Sequence, residues 1–315
     1  MKQLLALTLM SLFVVSAHSA TKVIYGSDNR QDMYEVSNSL HKKLAQSTAG
    51  MIDVRHFKKS SRPNFFDLIN TDTLENAMNV CASESFSQQQ IAPNCSGFLV
   101  GPDTLVTAGH CYKSGRDPKD VCKGFAWVFG YDMKSSSHNP TRDIPLQNIY
   151  LCKSVLAAEL NGTMDYAVIK LDRAVVGREP LKFRNAGKIS NSTSLVVIGH
   201  PTGLPTKVSP AGKVTRNTQS TTFSTTLDTF AGNSGSAVFD AATGLVEGIL
   251  IQGKNDYMPS KANDERSCQV VNKCDDNGNS CASGEEYGNV QYGEVVFRIE
   301  TIAKVLHQGI KAQVK

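Results

Sequence analysis

The sequence predicts an all-β domain, a barrel or a sandwich, that ends in an α-helix. Two patterns carry this. From residue 95 onward, short apolar and β-branched stretches recur between Gly, Pro, Asn and Ser turns, the spacing expected of many short strands. Only the tail changes period: Ile302, Val305, Leu306 and Ile310 fall on one helical face. In chain order the expected strands lie at 51–57, 97–100, 125–129, 166–171, 195–198, 237–239, 245–251 and 295–299. Most are rich in the Val, Ile, Leu, Phe or Tyr that a pleated, half-buried surface favours, while 51–57 is more mixed. Turn formers mark loops at 132–140 and 275–283. No internal repeat or low-complexity linker interrupts this order.

With 315 residues the chain can bury a substantial core. A net charge of +4, without a Lys/Arg cluster, gives no reason to expect nucleic acid or a membrane surface as partner. Residues 1–20 read as a secretory signal. Lys2 supplies the positive end, residues 4–15 are apolar, and Ala17, Ser19 and Ala20 are small enough for cleavage. The apolar run is too short to span a bilayer, so no membrane anchor is expected. The expected division is therefore 1–20 signal peptide, 21–90 N-terminal extension with part of it a candidate propeptide, and 91–315 the main β domain.

Eight cysteines, an even number in an exported chain, read as disulfides. Cys111 has a candidate partner in Cys95, sixteen residues earlier. Cys122 and Cys152 flank one strand-and-loop block. Cys81 is left for one of Cys268, Cys274 and Cys281, with the other two paired locally. None forms a Cys-x-x-Cys pair, so a structural zinc is not expected. Asp275, Asn277, Asn279 and Glu286 have the spacing of a calcium loop. Ser280 stands where such a loop needs Gly, and calcium is not expected.

Three separated segments carry chemistry. Thr107-Ala108-Gly109-His110-Cys111 brings an imidazole to the end of an apolar strand, Asp165 opens the apolar run 166–171, and Gly232-Asn233-Ser234-Gly235-Ser236 places a serine among small residues. A serine hydroxyl is a poor nucleophile near neutral pH. It needs an imidazole to take its proton and a carboxylate to hold that imidazole in one tautomer. Each segment alone is an ordinary feature: a structural histidine, a turn aspartate, a tight turn. Their joint occurrence in the order His, Asp, Ser points to acyl transfer, with Ser234 as nucleophile.

These segments resemble the His and Ser motifs of chymotrypsin-fold (trypsin-like) serine proteases, and the Gly-Asn-Ser-Gly-Ser form is similar to that of the bacterial glutamyl-endopeptidase branch. The resemblance spans roughly residues 23–310. It implies two six-stranded antiparallel β-barrels with a C-terminal α-helix, His110 as general base and acid, Asp165 as its orienting carboxylate, and the main-chain amides of Gly232 and Ser234 as the oxyanion hole. No cofactor is implied; the partners are protein or peptide substrates, and a monomer is expected. Asn233 replaces the aspartate with which trypsin's new N-terminus pairs, so that activation switch is not available.

By the same resemblance Asp228, six residues before the nucleophile, lies at the base of the primary specificity pocket, with Thr229 beside it and Gly253 on a wall. A carboxylate there implies cleavage after Arg or Lys. The glutamyl branch carries a histidine where this chain has Leu250, which weakens the alternative of cleavage after Glu or Asp. A catalytically silent binding protein on the same fold is the third reading. Trimming after Lys22 would start the mature chain at Val23, and signal cleavage near Ala20 is the alternative.

Overall fold

The computed structural model describes residues 23–261, 267–278, 281 and 292–311. The signal-like residues 1–20, and Asn279, Ser280 and Glu286 of the calcium-like spacing, lie outside them. Two antiparallel β-barrels stand side by side. The first is built from β1 (Thr48–Asp53), β2 (Cys95–Gly101), β3 (Thr104–Thr107), β4 (Phe125–Phe129), β5 (Ile149–Leu160) and β6 (Asp165–Leu171), in the spatial order 4-5-6-3-2-1, and the pairing of β1 with β4 closes it. The second contains β7 (Ser194–Gly199), β8 (Lys207–Arg216), β9 (Thr222–Thr225), β10 (Ala237–Asp240), β11 (Val246–Gln252) and β12 (Glu294–Arg298). Its order is 7-10-11-12-9-8, closed by β7 against β8. The short strand Gln31–Asp32 adds to β8 from outside.

Alternation along the strands explains how one barrel packs on the other. On β7, Leu195 and Val197 enter the core of the second barrel with Phe223, Val238, Leu250 and Val296. Val196 and Ile198 point the other way, into a large cluster that also holds Phe239, Ile249 and Phe297 and the first barrel's Phe98, Trp127 and Ile169. A two-residue period with both faces apolar is what a strand wedged between two cores requires. Tyr166 of β6 stacks on Phe297 of β12, ring centroids 5.8 Å apart. The C-terminal helix (Ala303–Lys311) lays Leu306 into the same cluster.

The chain before residue 95 is woven into this body. β1 falls within the stretch expected as an extension, yet it is a stave of the first barrel. The strand runs over 48–53 where 51–57 is expected, because Ala49 and Gly50 are poor strand formers that mask its start. Ile24–Tyr25 pairs in parallel with Lys273–Cys274, and Val23 and Ile24 are fully buried. Asp32 meets Lys207 in a buried ion pair, and Gln89 bonds to both. Burial lowers the Lys207 pKa to about 8 despite the carboxylate. Four disulfides join Cys81–Cys268, Cys95–Cys111, Cys122–Cys152 and Cys274–Cys281.

Gly97 on β2 faces the only tryptophan of the chain: a Cβ there would lie 2.7 Å from Trp127 and from Leu105. Gly97→Ala should therefore cost about 1–3 kcal/mol and lower the unfolding midpoint followed by Trp127 fluorescence. His200, fully buried, donates its Nδ1 proton to the Leu204 carbonyl at 3.0 Å while Nε2 has no partner. Burial holds its pKa near 4, below the ordinary 6.5. Its stabilising contribution is full above pH 6.5 and is lost as pH falls toward 4, on the order of 3 kcal/mol. Denaturant unfolding over that range should show the loss, and His200→Asn, which keeps an Nδ donor but cannot charge, should flatten it.

Candidate active site

β3 hands the chain to a short helix, His110–Lys113, at the rim of the first barrel. Gly109 at the junction is required by a close approach: a Cβ would sit 2.0 Å from the Glu159 carbonyl and 2.7 Å from the Tyr166 nitrogen. The helix start is thereby pressed against the β5–β6 hairpin, whose turn Asn161 stiffens by accepting the amides of Thr163 and Met164, both at 3.0 Å. The next residue is Asp165. One of its oxygens accepts the main-chain N–H of His110 at 2.9 Å, and the other meets the imidazole Nδ1 at 2.9 Å. Ring and backbone are held by one carboxylate, which leaves Nε2 as the nitrogen available for proton transfer. The His110 side chain is 24% exposed and that of Asp165 15%, so the pair lies at a crevice wall rather than in the core.

Ser234 comes from the second barrel, in the turn that leads into β10. Gly232 and Gly235 on either side have φ of +85° and +88°, values L side chains rarely adopt. Space forbids a side chain as well. A Cβ on Gly232 would lie 2.5 Å from the His200 carbonyl, and one on Gly235 2.1 Å from the Ser96 carbonyl and 2.2 Å from the Thr107 hydroxyl. The glycines thus let the turn sit directly on the strand ends that lead to His110. Ser96 donates its amide to the Ser234 carbonyl at 2.8 Å, and Cys111 Sγ lies 3.9 Å from the same oxygen. The Cys95 and Cys111 sulfurs and a His110 ring nitrogen all lie within 4.8 Å of one another. As the sulfurs are bonded to each other, they brace the site and offer no thiolate to a metal. The Ser234 hydroxyl itself is not hydrogen-bonded to the imidazole in this conformation, a looseness common before substrate arrives.

The amides of Gly232 and Ser234 donate to no other group among the described residues. Their flanking carbonyls do have partners: Ala231 accepts Thr202 N–H, Gly232 accepts the Ser96 hydroxyl at 2.8 Å, and Asn233 accepts Ser236 N–H at 2.8 Å. In a trans peptide the N–H points opposite to its carbonyl, so tethering these oxygens turns both N–H groups outward. Two such donors flanking a serine can bind a developing oxyanion.

Asp228, Thr229 and Gly253 are all buried. Asp228 accepts the amides of Tyr25 at 2.7 Å and Asn29 at 3.2 Å, and burial raises its pKa to about 7. The Thr229 hydroxyl donates to Glu294, which also accepts the Tyr25 hydroxyl at 3.0 Å and the Lys254 amide at 3.4 Å. Sequence reasoning gave no part to Tyr25, Asn29 or Ser96, because the bonds of the first two to Asp228, and those of Ser96 to Gly232 and Ser234, run to main-chain atoms or from them.

The profile of the trypsin-like peptidase domain matches residues 95–249. No curated protein sequence matches significantly. Among solved structures, a Glu endopeptidase is similar at 17% identity over 92% of this chain and 100% of its own, TM-score 0.51. The Vibrio cholerae VesB protease is similar at 12% identity over 91% of this chain and 68% of its own, TM-score 0.49. At such identities the likeness lies in the fold. With the domain match and two closed barrels, this chain is a serine endopeptidase of the chymotrypsin fold that carries a trypsin-like peptidase domain.

Proposed function

We propose that the protein hydrolyses peptide bonds through an acyl-enzyme on Ser234. The observation that carries this is the double grip of Asp165 on His110, opposite a serine flanked by two unengaged amides. His110 Nε2 takes the Ser234 proton as Oγ attacks the peptide carbonyl, and Asp165 stabilises the imidazolium. The amides of Gly232 and Ser234 receive the oxyanion. Collapse breaks the C–N bond, the imidazolium proton goes to the leaving amine, and water repeats the sequence on the ester. The cost of holding this geometry is met by the scaffold, which supports a rigid turn and a disulfide beside it.

Cleavage after Arg or Lys is the preferred specificity, with Asp228 as the cation's partner. Each carboxylate oxygen has two lone-pair sites, so the bonds to Tyr25 and Asn29 leave capacity for a guanidinium. The rival, cleavage after Glu, gains from those same bonds, which already satisfy part of the charge on Asp228. The likeness to a Glu endopeptidase belongs here too. Four disulfides suit an oxidising compartment, extracellular or periplasmic, and no described helix is long and apolar enough to cross a membrane. Burial from Val23 onward supports a mature chain that starts at or just before that residue and keeps 23–90 with the barrels.

Wild-type protein should be labelled by a fluorophosphonate, and Ser234→Ala should abolish both labelling and turnover; labelling that survives the substitution rejects Ser234 as nucleophile. In a peptide series ending in Arg, Lys, Glu or Phe before the scissile bond, Arg and Lys should be favoured. A clear Glu preference removes Asp228 from its role. Because ionised Asp228 is the form that attracts a cation, the ratio of kcat/KM for Arg over Phe peptides should rise as pH increases through about 7, and Asp228→Asn should flatten that ratio.

A further inference from the structure

We propose that the Ser96 hydroxyl is a positioning group for the oxyanion hole, an inference that rests on the acyl-transfer reading above. Ser96 belongs to β2 of the first barrel and has no exposed surface. Its hydroxyl donates to the Gly232 carbonyl at 2.8 Å and accepts the His200 amide at 2.9 Å. Its own amide donates to the Ser234 carbonyl at 2.8 Å. Its carbonyl accepts the Thr107 hydroxyl at 2.7 Å, from the strand that delivers His110. One residue therefore bonds to both ends of the three-residue segment that presents the oxyanion donors, and to the strand that carries the base.

The need for such a clamp follows from Gly232. Without a Cβ, and at positive φ, this residue has no intrinsic preference that would hold its amide in one direction. Its orientation is imposed from both sides. The Ala231 carbonyl before it is tied to Thr202, in the turn that starts at His200, and the Gly232 carbonyl after it is tied to Ser96. The Ser96 hydroxyl also holds the His200 amide at the start of that turn. Removing the hydroxyl leaves the Gly232 carbonyl and the His200 amide without this partner in a buried place, where each lost bond favours rotation toward another. Freed rotation of the 232–233 peptide, together with a loosened His200 turn that holds the Ala231 carbonyl through Thr202, shifts the adjoining peptide that carries the Gly232 N–H away from the reacting oxygen. The amide bond from Ser96 to Ser234 is main-chain and survives substitution, so the effect falls on one of the two donors.

The test is steady-state kinetics of Ser96→Ala beside wild type on the best peptide substrate, with binding of the matching peptide aldehyde, whose tetrahedral adduct places an oxyanion in the hole. Expected are a kcat lowered about 10- to 100-fold, as for partial loss of one donor, and an aldehyde affinity lowered to a similar degree. KM should stay within about threefold, and the midpoint of the kcat–pH profile should not move, because the His110–Asp165 pair is untouched. A loss of packing alone would lower the thermal midpoint without this split. Ser96→Thr, which keeps the hydroxyl, should restore most of kcat. Should Ser96→Ala fail to fold, Ser96→Cys replaces it, since a thiol is a weak donor of similar size, and the same split is expected. Wild-type kcat and aldehyde affinity in the variant overturn the role of Ser96 while leaving Ser234 as nucleophile. Failure of wild-type protein to react with a fluorophosphonate overturns the reading beneath it.

Discussion

A tight turn from one barrel must sit on the strand ends of the other with almost no room between them. That contact is the constraint the rest of the molecule serves. Gly235 approaches the Ser96 carbonyl and the Thr107 hydroxyl so closely that a single added carbon would overlap both. The twin barrels present these two edges to each other, and Tyr166 stacked on Phe297 fixes their separation. The Cys95–Cys111 bridge braces the first-barrel edge, and the bond from the Ser96 amide to the Ser234 carbonyl ties the turn to it. Catalytic groups on separate bodies lose effectiveness steeply with small misplacements, which gives a physical reason for so many restraints around three side chains.

Much of this was legible in the residues. His110, Asp165 and Ser234 stood out because a reactive serine needs that set of neighbours, and the structure brings His110 and Asp165 into bonding contact. Strands 125–129 and 166–171 were visible because β-branched and aromatic side chains report burial directly. The less legible parts share one cause: they are carried by main-chain atoms. Thr48 to Gly50 form half of a barrel strand through ladder bonds and small side chains. Tyr25 and Asn29 hold Asp228 through their amides, and a backbone donor leaves no mark on composition. Ser96 looks like any small polar residue in a strand until its four partners Gly232, His200, Ser234 and Thr107 are known.

Several charged side chains are buried in the second barrel and the N-terminal segment packed on it. Asp228, Glu294, Asp32, Lys207 and Arg30 are all buried. Arg30 offsets its desolvation with Asp28 at 2.8 Å and by lying over the Phe230 ring, 4.2 Å from its centre. Breaking one member of such a pair generally costs more than the pair contributes. The polar interior ties the 23–32 segment to the region beneath the reactive turn, so the N-terminal part of the chain is bound to the site by interactions that tolerate little change.

The pairing of Ile24–Tyr25 with Lys273–Cys274 has a consequence for the order of events in folding. The two partners lie about 250 residues apart, and the last barrel stave, Glu294–Arg298, is later still. Contacts of such long range form late and slowly. The second barrel, and with it the crevice, cannot close on a chain that lacks these late strands.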